Sequence, residues 1–187
     1  MTEHTDPSPP PGSTERTRRG PGTGSPPYVA VVGGGRSPAA ERELAEAVGR
    51  GLAEAGAVVV CGGLGGTMEA ACRGAHQAGG LTVGILPGTE RLEANPFVDV
   101  ALPTGLGEAR NALVVRAADC VVAVGGEFGT LSEVALALAT GVPVVGLGTW
   151  ELVRRGEQVD AVLRANAPAD AVSLAIELAR ERHTGVP

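Results

Sequence analysis

The chain has 187 residues and a formal net charge of −6, a length that suits one domain with tails and buries a core without disulfides or a metal. No basic stripe runs through the body of the chain, which argues against a nucleic-acid surface. No apolar run of about 18 residues is present to span a membrane, and the polar, proline-rich start lacks the apolar segment of a signal peptide, so a cytoplasmic location is expected.

Residues 1–27 are rich in Pro, Gly, Ser and charge and are expected to be a disordered tail, because they bury too little apolar surface to offset the entropy of ordering. Arg16, Arg18 and Arg19 fall in this leader. Residues 28–187 are expected to form a single domain. It opens with Tyr28–Val32, an apolar strand that runs into Gly33-Gly34-Gly35. Ser37-Pro38 reads as a helix N-cap followed by proline at the first helical position. That helix runs to about Ala55, with Leu44, Val48 and Leu52 on one face and Gly56 as its stop. Ala57–Cys61 is a buried strand, Thr67–Ala78 a helix, Leu81–Leu86 a third strand and Phe97–Ala101 a short fourth. A helix is expected over Leu106–Ala117, a strand over Cys120–Val124, a helix over Thr130–Thr140 and a strand over Val142–Leu147. Helical segments near 156–165 and 168–182 close the chain. The cysteines are odd in number (Cys61, Cys72, Cys120) with no C-x-x-C pair; they read as buried free thiols in a reducing compartment rather than a metal site.

Strands apolar throughout are buried on both faces, and their alternation with helices predicts a Rossmann-like, doubly wound α/β fold with a mainly parallel sheet. Ligands of such sheets bind beyond the carboxyl ends of the strands, where three glycine-rich loops fall here. The first, Gly33–Ser37, has Pro38 where the last glycine of a dinucleotide fingerprint would stand, and the second strand ends Val60-Cys61-Gly62 without the acidic residue. NAD is therefore disfavoured, and neither a P-loop nor a G-x-S-x-G elbow is present. The second and third loops, VVVCGGLGGTMEAA (58–71) and VVAVGGEFGTLSEVA (121–135), share one plan: strand, glycine turn, Gly-Thr, helix. Glycines admit close backbone approach, and the helix start offers free N–H donors to an anion. Gly34, Gly35, Gly63, Gly65, Gly66, Thr67, Gly125, Gly126, Gly129 and Thr130 are accordingly the candidate phosphate- or ligand-binding residues. Thr130 to Glu133 also matches a capping box. Arg110 shares a helical stripe with Leu106, Leu113, Val114 and Ala117, and an inward arginine needs an anion, either Glu133 or a ligand phosphate. Asn111 is placed to add a polar contact. Glu69 reads as a favourable charge at a helix start, His76 as exposed, and Trp150 as packing on a ligand base or a subunit interface.

These residues resemble the lonely guy (LOG) superfamily, often labelled "possible lysine decarboxylase", over about residues 28–180. The resemblance rests on GGLGGTMEAA, on Arg110 nine residues before Asp119, and on GGEFGTLSE, which is similar to the family's PGGxGTxxE. It implies a Rossmann-like fold, a homodimer, and hydrolysis of nucleoside 5′-monophosphates to base and ribose 5-phosphate with no cofactor or metal. By analogy Arg110 and Glu133 are the catalytic pair, and Gly126, Gly129 and Thr130 the phosphate loop. Decarboxylation through a Schiff base would need a lysine, which the chain lacks. Three positions depart from the pattern: Gly125 replaces the family's proline, Glu127 its second glycine, and Asn111 the lysine that follows the arginine. Glu127 and Asn111 motivate a second expectation, a non-catalytic binder or carrier of a phosphorylated ligand of the nucleotide or molybdenum-cofactor type. A third is an interaction protein that keeps the fold.

Overall fold

The computed structural model describes residues 25–184; the tail expected over 1–27 lies outside them except for its last three residues. In chain order the elements are β1 (Tyr28–Gly33), α1 (Ala39–Glu54), β2 (Val58–Cys61), α2 (Thr67–Gln77), β3 (Thr82–Leu86), β4 (Val100–Pro103), α3 (Asn111–Arg116), β5 (Cys120–Val124), α4 (Phe128–Ala139), β6 (Val144–Leu147), β7 (Val153–Arg154), β8 (Glu157–Gln158), β9 (Val162–Ala165) and α5 (Pro168–Thr184). Two short 3-10 turns cover Arg91–Glu93 and Gly107–Arg110.

Seven strands form one sheet in the order β4-β3-β2-β1-β5-β6-β9, and every pairing in it is parallel. β1 stands where the winding reverses: β2 to β4 extend to one side, β5, β6 and β9 to the other. The period-2 alternation of each strand divides the core in two. Val29, Val31, Val59, Val122 and Val124 face one layer with Val48, Leu52, Ala71 and Ala175 from α1, α2 and α5. Ala30, Val32, Val60, Val121 and Ala123 face the other with Val114, Val134 and Ala137 from α3 and α4. This is the Rossmann-like α/β architecture that the apolar strands predict.

Local signals set the helix ends. α1 stops at Gly56 (φ 82°), where the Gly56 N–H donates to Ala53 O and the Ala57 N–H to Leu52 O, a pairing that needs the left-handed backbone glycine adopts freely. The start differs from expectation. Pro38 occupies the cap position with no side-chain cap bond, and the Ser37 hydroxyl is buried without a partner among the described residues.

Three expected elements change. The fourth strand lies at Val100–Pro103 rather than Phe97–Ala101, because Thr82 Oγ1 donates to Phe97 O and Asp99 Oδ2 accepts from the Thr82 amide, which holds 97–99 out of the ladder. The expected helix near 156–165 is β8 and β9 instead: Val162–Ala165 pairs in parallel with β6, and the sheet's hydrogen bonds outweigh a weak local helical pattern. The helix over Leu106–Ala117 is split into a 3-10 turn and the short α3. Leu106 and Leu113 point outward, while Arg110 is buried, so the stripe proposed for them does not form. All three cysteines are free and buried, and Cys61 and Cys72 lie with their sulfurs 3.3 Å apart.

α1 and α2 cross at glycine. A Cβ on Gly74 would collide with the carbonyl oxygen of Glu46, and one on Gly49 with that of Ala71. Alanine gains about 1 kcal/mol of helix propensity over glycine, but a clash with backbone cannot be relieved by a rotamer change, and overpacking costs about 1–3 kcal/mol or more. Gly74→Ala is therefore expected to lower stability by roughly 2 kcal/mol in urea denaturation; a stabilised variant would show that the helices can separate freely.

Candidate functional site

The carboxyl ends of β1, β2 and β5 bring the three glycine-rich loops to one edge of the sheet. The first two are knitted together. The Thr67 amide donates to Gly34 O at 3.0 Å, a Cβ on Gly66 would collide with Gly34 O, and one on Gly33 with the Thr67 side chain. Gly63 is held as well: its N–H donates to Cys61 Sγ, and its oxygen accepts from the Asn95 amide at 2.9 Å and from Asn95 Nδ2 at 3.2 Å. Much of the glycine here serves contact of backbone with backbone.

The third loop is different. Gly125 donates to Leu147 O at 3.1 Å and accepts from Thr149 Oγ1 at 2.5 Å, which fixes the turn. Glu127 then takes the cap position in extended backbone, without a side-chain cap bond, and α4 begins at Phe128. Helix hydrogen bonding starts with Leu131 N–H to Glu127 O at 3.0 Å. Among the described residues, the amides of Gly126, Glu127, Phe128, Gly129 and Thr130 have no protein acceptor. The early start puts Thr130 inside the first turn and Glu133 in the second, so the capping box does not form. Glu133 instead faces the interior, as do Thr130 and Val134.

There it meets Arg110. The two side chains are both nearly buried, with Nη1 and Oε1 3.9 Å apart. That is an ion pair but longer than a hydrogen bond, and Arg110 Nε is buried without a hydrogen-bond partner among the described residues. The guanidinium packs so closely on Gly62 that a Cβ there would collide with it. A glycine at the end of β2 thus makes room for the arginine, and Asn111 is buried beside it in the chain. Burial raises the Glu133 pKa to about 7, with the nearby Arg110 charge opposing the rise. A carboxyl poised there exchanges a proton at neutral pH.

An open cleft of about 690 Å³ lies over the starts of α1 and α2. Gly35, Arg36, Ser37, Arg42, Gly66, Glu69, Arg73 and Glu127 line it. Its cations are partly engaged, since Arg73 binds Glu46 at 2.7 Å and Arg42 donates to Ser37 O at 2.5 Å. Arg110 and Glu133 do not line this cleft; they belong to the α3–α4 face. The third loop meets both, through Glu127 on one side and Glu133 on the other. Arg36, Arg42 and Glu41 escape the sequence reading. The Glu41 carboxylate packs against Gly125, and no local pattern reports that, because the contact joins α1 to a loop some eighty residues away. Among the described residues no cluster of three or more metal-ligating side chains occurs and no helix is long and apolar enough to cross a membrane.

Glu133 imposes a pH dependence on stability. The folded state keeps the proton up to about pH 7, whereas the unfolded carboxyl releases it near 4.5. The contribution is therefore most favourable below 4.5 and is lost as pH rises to about 7. Across that window the wild type is expected to lose roughly 3 kcal/mol relative to Glu133→Gln, read by urea denaturation. Parallel pH profiles for the two proteins would mean that the buried carboxyl ionises as in water.

Comparison with known proteins agrees with this architecture. The model of the SLOG cluster4 family matches residues 26–172. An uncharacterized protein of Archaeoglobus fulgidus is 43% identical over 119 residues, 64% of this chain and 78% of its own length. The molybdenum cofactor binding protein from Rippkaea orientalis superposes with a TM-score of 0.73 at 36% identity, over 80% of this chain and 95% of that one. The molybdenum cofactor carrier protein of Chlamydomonas reinhardtii does so with a TM-score of 0.71 at 33% identity, over 82% and 98%. With the family model covering the whole sheet and all three glycine-rich loops, the chain belongs to the SLOG cluster4 family, within the LOG-type Rossmann-like superfamily.

Proposed function

We propose that this protein binds a nucleotide-like phosphorylated small molecule at the sheet edge and hydrolyses its N-glycosidic bond. The observation that carries the proposal is the set of amides from Gly126 to Thr130 at the start of α4 that have no acceptor among the described residues, on the helix whose Glu133 pairs with the buried Arg110 guanidinium. Amides at a helix start hold phosphate oxygens with full hydrogen bonds and a favourable dipole. Gly34, Gly35, Gly65, Gly66 and Thr67 shape the adjoining wall, and the Thr67 hydroxyl is buried and unpartnered within it.

In the reaction, water adds to the anomeric carbon, the bond from that carbon to the base nitrogen breaks, and base and ribose 5-phosphate leave. Ionised Glu133 positions the water, takes its proton and stabilises positive charge developing on the ribose, while the departing base nitrogen picks up a proton from solvent and Glu133 then returns its own to solvent. Arg110 orients both the carboxylate and the sugar. Because the ionised carboxylate acts, the rate is expected to rise with pH through about 7.

A second reading is non-catalytic carriage of a phosphorylated pterin cofactor. It is supported by the similarity to the two molybdenum cofactor proteins, and by Glu127 and Asn111 where the hydrolytic pattern has glycine and lysine. The Glu41 carboxylate against Gly125 suits hydroxyl or N–H donors on the ligand in either reading. The homodimer implied by the resemblance belongs to the same proposal, and the exposed Leu102, Leu106 and Leu113 offer apolar surface to a second copy. Incubation with AMP, CMP, GMP and UMP is expected to release free base, and Glu133→Ala to reduce release at least a hundredfold. Thermal stabilisation by intact ligand without turnover selects the carrier. Neither release nor stabilisation would remove the ligand site altogether.

A further inference from the structure

The chain has only four aromatic residues (2 Phe, 1 Tyr and 1 Trp), and two of them meet at the loop just described. Phe128 and Trp150 have ring centroids 5.6 Å apart with a tilt of 37°. Phe128 is the first residue of α4 and is 79% exposed. Its own amide is one of the unpaired donors. A phenylalanine left in water forgoes most of the transfer free energy that burial would supply, and the core has not taken this one in.

The pair is not loosely placed. Trp150 Nε1–H donates to Glu127 O at 3.3 Å, and the preceding Thr149 Oγ1 donates to Gly125 O at 2.5 Å. Two successive residues after β6 are thereby pinned to the turn that presents the amides, so the rings keep a set position relative to the anion receptor. The neighbouring Gly129 has nothing within 4 Å of where a side chain would begin, so the helix start beside Phe128 borders open space. Trp150 also walls a second cavity of about 130 Å³ with Glu151, Asp160 and Asn166, groups able to hydrogen-bond the edge of a polar ring.

We infer that Phe128 and Trp150 form a stacking subsite for the planar heteroaromatic ring of the phosphorylated ligand. The inference rests on the proposed phosphate receptor at the same loop, and it adds the recognition of a ring to that of an anion. Stacking on an aromatic face tolerates many bases, since every base offers a π face. Phe128 then governs affinity for the ring and the amides govern affinity for the phosphate.

Trp150 is the only tryptophan, so its emission reports the subsite directly. The full-length protein is titrated with AMP and, as a phosphate probe without a ring, with ribose 5-phosphate. AMP is expected to quench Trp150 saturably, while ribose 5-phosphate leaves emission unchanged yet competes AMP away. Phe128→Ala is expected to weaken AMP about tenfold and ribose 5-phosphate less than twofold. Repeating the AMP titration in Glu133→Gln separates binding from turnover, and quenching should persist there. Equal affinity for both probes, unaltered by Phe128→Ala, would overturn the ring subsite and leave the phosphate receptor intact. Failure of both probes to bind would overturn both. A ligand-free change in Trp150 emission with protein concentration, abolished in Phe128→Ala, would assign the rings to a contact between copies and overturn the subsite.

Discussion

The parallel sheet is the constraint on which everything else depends. Strands such as Val29–Val32 and Val121–Val124 are buried on both faces, and apolar burial of that kind is satisfied only when helices cover the sheet above and below. Each helical crossover returns the chain to start the next strand at the same end. Every loop after a strand therefore falls on one edge, and the reversal at β1 opens that edge between β1 and β5. The meeting of three glycine-rich loops is a consequence of hydrophobic burial, before any ligand is considered.

Within that edge, two demands on glycine compete. At Gly33 and Gly66 the absent side chain lets backbone approach backbone, and the chain's own carbonyls fill the space. At Gly126 and Gly129 the amides instead remain unpaired. The Thr67 N–H bond to Gly34 O spends the first amide of α2 on holding the first two loops together, whereas among the described residues the Thr130 amide of α4 has no protein acceptor. Similar Gly-Thr motifs thus have different fates, decided by whether a neighbouring carbonyl lies within reach.

The Arg110–Glu133 pair places charge where the dielectric is low. At 3.9 Å the attraction is too indirect to satisfy either group, and burial lifts the carboxyl towards neutrality. A charged pair held loosely in the interior is a weak stabilising device, because desolvation offsets much of the Coulomb gain. Its geometry is better suited to meeting a third group. Gly62 takes part by lacking a side chain: it is the floor against which the guanidinium lies.

Much of this was legible in the residue order. Apolar runs bounded by glycine marked most of the sheet and the helices, since burial on both faces leaves a continuous hydrophobic signature. The motif around Glu133 and the position of Arg110 pointed to the same pair. What the sequence left open was long-range. Val162–Ala165 became the strand β9 because β6 offered an unpaired edge, and 97–99 left the ladder because Thr82 bound it. The Glu41 carboxylate reached Gly125 from another element, and Phe128, after β5, met Trp150, after the neighbouring β6. Sequence alone determined the layers and the edge on which the loops gather, because burial and turn chemistry act over a few residues. Tertiary structure decided which loop amides stay free and which side chains surround them, because hydrogen bonds between distant segments are settled only when those segments pack.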